Sequence, residues 1–274
     1  MATLGAAKTG KFAIGTAELR VGPLSSAGKL TKAHSIGLID SATLSVEQTS
    51  VDLKGGFPQV IMDTQVVDQS AQITATLREF SRRNLGILLG QGLLYASSDD
   101  SVDDAKTTLS GNLTANSAPI SLTATTGFSS GDWITIYNPN DAGECVISRL
   151  SSASSLDSNF LSPVAFSTGA VVAKLAPIPI GNVSSVSYFS AQLITLDRAT
   201  GRPKVANFWK LAIGSGMSLA NNATDFAATE MTLKVLQPSL ADYAQVGSPL
   251  YHLKDIVSVY PMGLMGEMSD DATS

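Results

Sequence analysis

The side chains that could carry out chemistry are few and widely spaced. The two histidines, His34 and His252, have no cysteine or carboxylate partner at the spacing of a zinc site. Asp63 and Asp68 flank the start of a predicted strand, but spacing identifies no general-acid partner for them. Cys145 is the only cysteine, so the chain forms no internal disulfide. The sequence therefore predicts no enzymatic activity, no metal site and no cofactor.

Two glycine motifs match phosphate-binding loops only in part. Gly90-Gln91-Gly92 lacks the Lys-Ser/Thr pair of a phosphate-binding loop, and Gly214-Ser215-Gly216 lacks the third glycine of a dinucleotide site. These glycines are predicted to form turns or helix caps. The run ASSDDSVDDA at residues 96–105 lacks the glycine and the final glutamate of a calcium loop, which predicts a linker.

Composition favours a β-rich structural protein over a nucleic-acid binder. Charged residues make up only 15% of the 274 residues, well below the roughly 25% of typical soluble domains. The net charge of −5 disfavours a protein that holds phosphates by clustered lysine and arginine. The N-terminal residues lack the apolar core of a signal peptide, and no apolar run approaches 18 residues, so we expect neither secretion nor membrane insertion.

The elements that would position functional residues begin with a strand pair and a helix. Residues 36–46 and 69–79 are predicted strands, and the second leads into an apolar helix at residues 80–90. Gly90 or Gly92 is expected to end this helix in a left-handed cap. The connection at residues 47–68 is far longer than the usual loop of about 4–6 residues, so we predict a long loop that contacts a partner. Its predicted contact residues are Val51, Leu53, Gly55, Gly56, Phe57 and Val60.

Composition and turn spacing divide the rest of the chain. Residues 106–176 are predicted to form an inserted small β-barrel or sandwich, because turn signals recur about every 10 residues without a helical period. Residues 1–105 and 177–274 would then be the two parts of one β domain. In the second part we predict strands at 183–197 and 226–236, a strand or helical turn at 205–212, and a loose tail at 263–274.

Two of these strands alternate polar and apolar side chains. One side of each strand is predicted to pack on the helix at 80–90 and the core, and the other to face a lumen or bulk water. The polar set comprises Gln72, Thr74, Thr76, Arg78, Glu230, Thr232 and Lys234. Which of the two environments they meet is left open by the pattern.

The order of strand, long connection, strand and helix in SATLSVEQTSVDLKGGFPQVIMDTQVVDQSAQITATLREFSRRNLGILLG resembles the major tail tube proteins of tailed bacteriophages. The later run WKLAIGSGMSLANNATDFAATEMTLKVLQPSLAD is similar to that family as well. The joint between strand and helix at residues 76–85 is the most specific part. The resemblance covers the first and third blocks, about two thirds of the chain, and leaves the insertion at 106–176 outside the minimal fold.

The resemblance implies a β-sandwich or barrel tail-tube fold with one flanking α-helix. Six subunits would close into a ring, and stacked rings would form the tail tube through which the genome is delivered. The connection at 47–68 would join successive rings, disordered in the isolated subunit and ordered on assembly.

The implied partners are copies of the chain, tail completion and baseplate proteins, and DNA in transient, non-specific passage, with or without a sheath. The protein would be made in the bacterial host cytoplasm and reside in the virion tail, away from membranes. Two alternatives remain open: the inner tube of a bacteriocin or secretion-type injection machine, and a carbohydrate-binding β protein. The low aromatic content, 6%, disfavours the latter.

Overall fold

The computed structural model describes residues 17–79, 81–91, 105–175, 177–178, 180–181, 186–196, 203–215, 220–222 and 225–267. The chain is mainly β, with 51% strand and 11% helix arranged as antiparallel sheets and a half-barrel, which confirms the expected mainly-β class. It divides into two compact units, Met1–Ser98 with Ile180–Ser274, and Asp99–Pro179. The predicted linker at 96–105 lies outside the described residues except for Ala105.

Strands far outnumber helices in the described part of the chain. In chain order the strands are β1 (Glu18–Pro23), β2 (Ile39–Gly55), β3 (Val60–Leu77), β4 (Lys106–Thr108), β5 (Trp133–Asn138), β6 (Asp141–Ser152), β7 (Ser155–Leu156), β8 (Val171–Leu175), β9 (Tyr188–Leu196), β10 (Pro203–Ile213), β11 (Ala220–Asn222), β12 (Asp225–Leu236) and β13 (Gly263–Glu267). The α-helices are α1 (Arg82–Leu88), α2 (Leu240–Tyr243) and α3 (Lys254–Val257).

The first unit is built on an eight-stranded antiparallel sheet. Six strands follow the order β1-β9-β10-β12-β3-β2, while β11 pairs with β12 and β13 pairs with β10. The pairing of β13 contradicts the predicted loose tail at 263–274, because Gly263–Glu267 is a strand. Five residues with glycine at two positions show no periodicity, yet the neighbouring strand supplies their hydrogen bonds. Residues 268–274 lie outside the described part.

One face of this sheet forms the main hydrophobic core. Alternation along β3 and β12 directs every second side chain to this face, so Ile73, Leu77 and Leu233 are almost completely buried. Ile87 and Leu88 of α1 belong to the same cluster. The apolar sides of β3 and β12 therefore pack on the helix, as their period-2 pattern predicts.

Local hydrogen bonds fix both ends of α1. The Ser81 hydroxyl accepts a hydrogen bond from the backbone N–H of Asn84 at 3.1 Å, which caps the N-terminus. At the other end, Gly90 adopts a φ of 69°, and the N–H of Gln91 donates to the carbonyl of Gly86 at 2.9 Å. This is a Schellman cap, and it confirms Gly90 as the helix stop. Gly92 lies outside the described residues.

The structure adds two four-residue helices to the one that was expected. Both α2 and α3 follow β12 in the chain and accompany a small apolar cluster around Trp209. The cluster contains Ala27, Trp209, Leu250, Leu253 and Val257. The His252 ring also contacts the carbonyl of Ala27 at 2.9 Å through Nε2. The chain segments around Ala27 and Leu253 therefore form one packed layer.

The second unit is a five-stranded sheet with its own core. Its strands follow the order β4-β8-β5-β6-β7, and all the pairings are antiparallel. Ile134, Ile136 and Val172 are completely buried in a cluster separate from that of the first unit. The predicted insertion, 106–176, falls within the unit Asp99–Pro179.

Candidate functional site

The connection predicted as a long loop is instead a β-hairpin. Strands β2 and β3 remain paired from Ile39 opposite Leu77 out to Gly55 opposite Val60, and only residues 56–59 form the turn. Register shifts after Thr49 and Leu53 absorb the unequal strand lengths. The prediction of a loop at 47–68 was wrong because aspartate, glycine and polar residues interrupt the alternation, while the cross-strand pairing still satisfies the backbone.

The outer part of this hairpin is exposed along its whole length. We name residues 47–70 the hairpin arm. Every residue of the arm is exposed except Gly55, which is half-buried. Five of the six predicted contact residues are exposed: Val51, Leu53, Gly56, Phe57 and Val60. Gly56 has a φ of 84°, which a turn at this position requires and which glycine adopts without strain.

The arm carries more apolar surface than an isolated ribbon needs. Its exposed large apolar side chains include four beyond the predicted set: Ile61, Met62, Val66 and Val67. A two-stranded ribbon alone in water is at best marginally stable, and contiguous exposed apolar surface marks an interaction site. The arm has the properties of a segment that another molecule covers.

The polar residues predicted on two separate strands lie side by side on one face. Thr76 is opposite Glu230, Thr74 is opposite Thr232, and Gln72 is opposite Lys234. All six side chains are exposed or half-buried, as is Arg78. The structure thus brings the polar set into a single surface on the side opposite the core that holds Ile73 and Leu233.

A third strand extends this polar surface, and sequence analysis missed it. Ser41, Thr43 and Ser45 of β2 pair with Thr76, Thr74 and Gln72 in turn. Three rows of three polar side chains result, which we name the polar face. The run Ser-Ala-Thr-Leu-Ser-Val at 41–46 alternates with period 2 and contained the signal.

The polar face balances its charges. Within it, Glu230 and Lys234 contribute one charge of each sign, and next to it Arg78 donates to the Asp40 carboxylate at 3.3 Å. The remaining positions are hydroxyls and an amide, which form neutral hydrogen bonds; the Ser41 hydroxyl, for example, donates to that of Thr76 at 3.3 Å. Such a surface offers no basic cluster on which phosphates would collect.

The sheet has an open edge along β2. Among the described strands β2 pairs only with β3, so the backbone groups on its outer side lie at the sheet edge. Long edges of this kind template strand pairing with another chain. Where the arm leaves the sheet, a depression of about 320 Å³ is lined by Ser45, Glu47, Ser70, Ala71, Gln72, Lys234, Val235 and Leu236.

The histidine and aspartates that were considered for chemistry lie in a helix cap and on the exposed arm. Nδ1 of His34 accepts the backbone N–H of Thr31 at 3.1 Å, completing a capping box on the 3-10 helix Lys32–His34. Asp63 and Asp68 both lie on the exposed arm, opposite Leu53 and Thr49 respectively. Within the described ranges, no group of three or more histidine, cysteine, aspartate or glutamate side chains could hold a metal ion.

Arg83 and Asn84 are buried polar residues that sequence analysis did not identify as structural. The Arg83 guanidinium donates to the carbonyls of Ala33 and Ser35 at 3.2 Å, to that of His34 at 3.1 Å, and to that of Val21. Asn84 donates to the carbonyl of Ile36 at 2.7 Å. These hydrogen bonds from Arg83 hold the chain between β1 and β2 against α1.

None of the helices in the described residues is long and apolar enough to cross a membrane. The chain matches no family model, and no curated protein is significantly similar to it in sequence.

Proposed function

We propose that the protein is a structural subunit that assembles into stacked hexameric rings, forming the tail tube of a bacteriophage. The observation that carries this proposal is the long β2–β3 hairpin, which combines an open strand edge with an exposed apolar arm. Both features leave surface that a further copy of the chain can cover. The number of subunits and the setting in a virion tail follow from the resemblance to tail tube proteins.

Edge pairing supplies the ring contact in this proposal. The sheet ends in β2 on one side and β1 on the other. The outer side of β1 is partly bonded by its own chain, because Arg20 bridges Ser35 and the N–H of Ile36 donates to the carbonyl of Leu19 at 3.0 Å. The two edges therefore differ, and β2 is the more open of them. Two different edges that pair between copies make a heterologous contact, which closes into a ring when the rotation permits. Closure also removes the exposed edges that would otherwise promote aggregation.

The polar face is the proposed lining of the tube. It lies on the side of the sheet opposite the core, and it is rich in hydroxyls with balanced charges. A DNA backbone passing such a wall would meet few cations that could retain it. The tail completion and baseplate proteins, with or without a sheath, would contact the ends and outside of the tube.

The same assembly would serve the inner tube of a bacteriocin or secretion-type injection machine. This alternative shares the ring, the arm and the lining, and differs in what passes through. Electron microscopy of capsids attached to tubes carrying this chain would favour the phage tail. Tubes without capsids from cells that release no virions would favour the injection machine.

Shortening the arm tests whether it joins copies of the chain. Replacing residues 50–67 by Asn-Gly joins Thr49 directly to its opposite residue Asp68 through a two-residue turn. A matched control replaces only the turn at 56–59 by Asn-Gly and keeps the arm at full length. We expect both variants to fold, and only the control to form tubes under negative-stain microscopy. Normal tubes from the shortened variant, or a wild-type chain that forms neither rings nor tubes, would overturn the proposal.

Thiol accessibility tests the proposed lining. In a Cys145→Ser background, cysteine at Thr74 or Thr232 should react with a bulky maleimide in free subunits and resist it in assembled tubes. Cysteine at Ile147, an exposed residue of the second unit, provides the control for general loss of labelling. Equal labelling of tubes and subunits at Thr74 and Thr232 would place the polar face outside the lumen.

A further inference from the structure

We infer that residues 1–16 of one copy add as a strand to the outer side of β2 in the hairpin arm of another copy. This inference rests on the proposed function and deepens it, because it names the segment that covers the arm. Residues 1–16 lie outside the described part of the chain. The arm is described along its whole length, and its edge, charge and position determine which segment can cover it.

The outer side of β2 in the arm can accept a further strand. Residues 47–55 pair with β3 on one side, and no other described strand pairs with them on the other side. An edge of this kind binds an extended segment, because the backbone N–H and C=O groups of the segment complete the ladder. Side chains of the added strand would also cover exposed apolar residues of the arm such as Val51 and Leu53.

The arm and the segment have opposite charge. The arm carries four carboxylates and one lysine, all exposed: Glu47, Asp52, Asp63, Asp68 and Lys54. Residues 1–16 contain Lys8 and Lys11 and neither aspartate nor glutamate, in a chain whose overall charge is −5. Opposite charges orient two segments as they meet, and burial of the apolar groups between them stabilises the contact.

The sequence of the segment suits an added strand. It contains no proline, so each of its residues has a backbone N–H that can join the ladder. In an extended conformation, Phe12 and Ile14 fall on one side of the strand, and Lys11 and Ala13 fall on the other. The apolar side can then cover apolar residues of the arm while the lysines meet its carboxylates.

The sheet register places the segment and the arm at the same end of the sheet. Paired residues form one row across the six main strands: Pro23, Phe189, Leu211, Val235, Ala71 and Val46. All five pairings along this row are antiparallel, so β1 and β2 run in opposite directions. From the row, β1 therefore leads back to Glu18 toward the same end at which β2 leads out into the arm. Residues 1–16 precede β1 and begin their course at that end.

The positions of β1 and β2 at opposite edges favour a second copy as the source of the segment. Within one chain, five strand spacings of about 4.8 Å separate β1 from β2. To reach its own arm, the segment would have to cross the whole end of the sheet before it could run along β2. A segment from another copy needs no such crossing. The contact does not use the outer side of β1, so the bonds that Leu19 and Arg20 make there leave it free to form.

Cross-linking between two singly labelled populations tests this contact. In a Cys145→Ser background, one population carries Ala13→Cys in the segment and the other carries Leu53→Cys on the arm. The matched control replaces Leu53→Cys by Leu38→Cys, because both leucines are 63% exposed and Leu38 lies at the other end of β2. After mixing, assembly and treatment with a short bismaleimide, we expect several-fold more cross-linked dimer from the arm pair than from the control pair.

Charge reversal gives an independent test with a built-in rescue. Lys8→Glu with Lys11→Glu should raise the concentration needed for assembly roughly tenfold, because unlike charges at the contact become like charges. Glu47→Lys with Asp52→Lys on the same chain should restore most of the loss. Added salt should narrow the difference between the reversed and the wild-type chain.

A matched control makes the same change of net charge outside the contact. Lys29→Glu with Lys32→Glu reverses two exposed lysines that follow β1, at the end of the sheet opposite the arm. The concentration needed for assembly should stay within about twofold of the wild-type value. A rise equal to that of the Lys8 and Lys11 reversal would show that net charge alone governs assembly, and would overturn the inference.

The outcomes separate this inference from the proposed function. If tubes form but the arm pair cross-links no more than the control pair, or the second reversal gives no rescue, residues 1–16 do not cover the arm and the proposed assembly stands. A chain that carries both Ala13→Cys and Leu53→Cys and cross-links only to itself would show that the segment covers its own arm, which also overturns the inference. If the wild-type chain forms no assemblies and no cross-linked dimers, both proposals fail.

Discussion

The two halves of the β2–β3 hairpin have opposite environments although they belong to the same pair of strands. In the inner half, Ile73 and Leu77 are buried beneath α1, and β12 pairs with β3 on its other side. In the outer half, apolar residues such as Leu53 and Ile61 are 63% and 57% exposed. The inner half supports the fold, whereas the outer half adds surface that the isolated subunit leaves uncovered.

In the arm, the backbone hydrogen bonds and the burial of the apolar side chains have different sources. The arm satisfies its cross-strand backbone groups internally, so it can form before it meets a partner. Its apolar side chains gain burial only through an added molecule. Substitutions in the inner half should therefore change the stability of the subunit, and those in the arm should change assembly.

The largest expected effect separates two isoleucines on the same strand. Ile73→Ala removes a completely buried side chain of the main core and should lower the free energy of unfolding by about 2–5 kcal/mol. Ile61→Ala makes the same chemical change on the exposed arm and should alter it by less than about 0.5 kcal/mol. Urea denaturation of the isolated subunits measures both values.

The assembly readout should reverse this order. At a temperature where both variants are folded, Ile61→Ala should weaken tube formation more than Ile73→Ala does. Equal destabilisation of the subunit by the two substitutions would mean that the arm packs against its own chain, and the contrast between the two halves would fail.

A smaller effect is expected at the buried arginine beside the inner half. Arg83→Met should lower the free energy of unfolding by about 1–3 kcal/mol, because carbonyls of residues 33–35 lose their donor. Lys32→Met removes an exposed cation from the same segment and serves as the control. Arg83→Lys should rescue little, since one ammonium group cannot reach the carbonyls that the planar guanidinium spans. Full rescue by lysine would show that charge alone is required.

The inner half of the hairpin was predictable from sequence, and the arm was not. In Gln72–Arg78 and in β12, strict alternation gave the strands, the buried side and the polar side correctly. In the arm, both surfaces mix apolar and polar residues, so no period marks it as a strand. Its pairing depends on register inherited from the inner half, which is a non-local property.

Contacts between residues far apart in the sequence explain the other differences between prediction and structure as well. The five residues of β13 become a strand only because β10 lies beside them. The cluster around Trp209 likewise joins Ala27 to residues 250–257, more than 200 residues away, and neither segment shows a periodic pattern of its own. By contrast, the cap at Gly90 is a local signal, and the sequence alone narrowed it to Gly90 or Gly92.

The smallest expected effect is a pH dependence at His34. Burial, followed by the positive charge of Arg83, holds the pKa of His34 below its usual 6.5. The unfolded chain then binds a proton that the folded chain resists, so this contribution to stability is complete above pH 6.5 and is lost as the pH falls through the folded pKa. Protonation at Nδ1 would also remove the hydrogen bond from the N–H of Thr31.

His34→Gln keeps a capping-box side chain without a titrating ring. Between about pH 7.5 and about pH 5.5, the wild-type subunit should therefore lose more stability than the variant in parallel urea titrations. Equal losses of stability in the wild type and the variant would show that protonation of His34 does not affect the fold. Lowering the pH could then not be used to destabilise the inner half while leaving the arm unchanged.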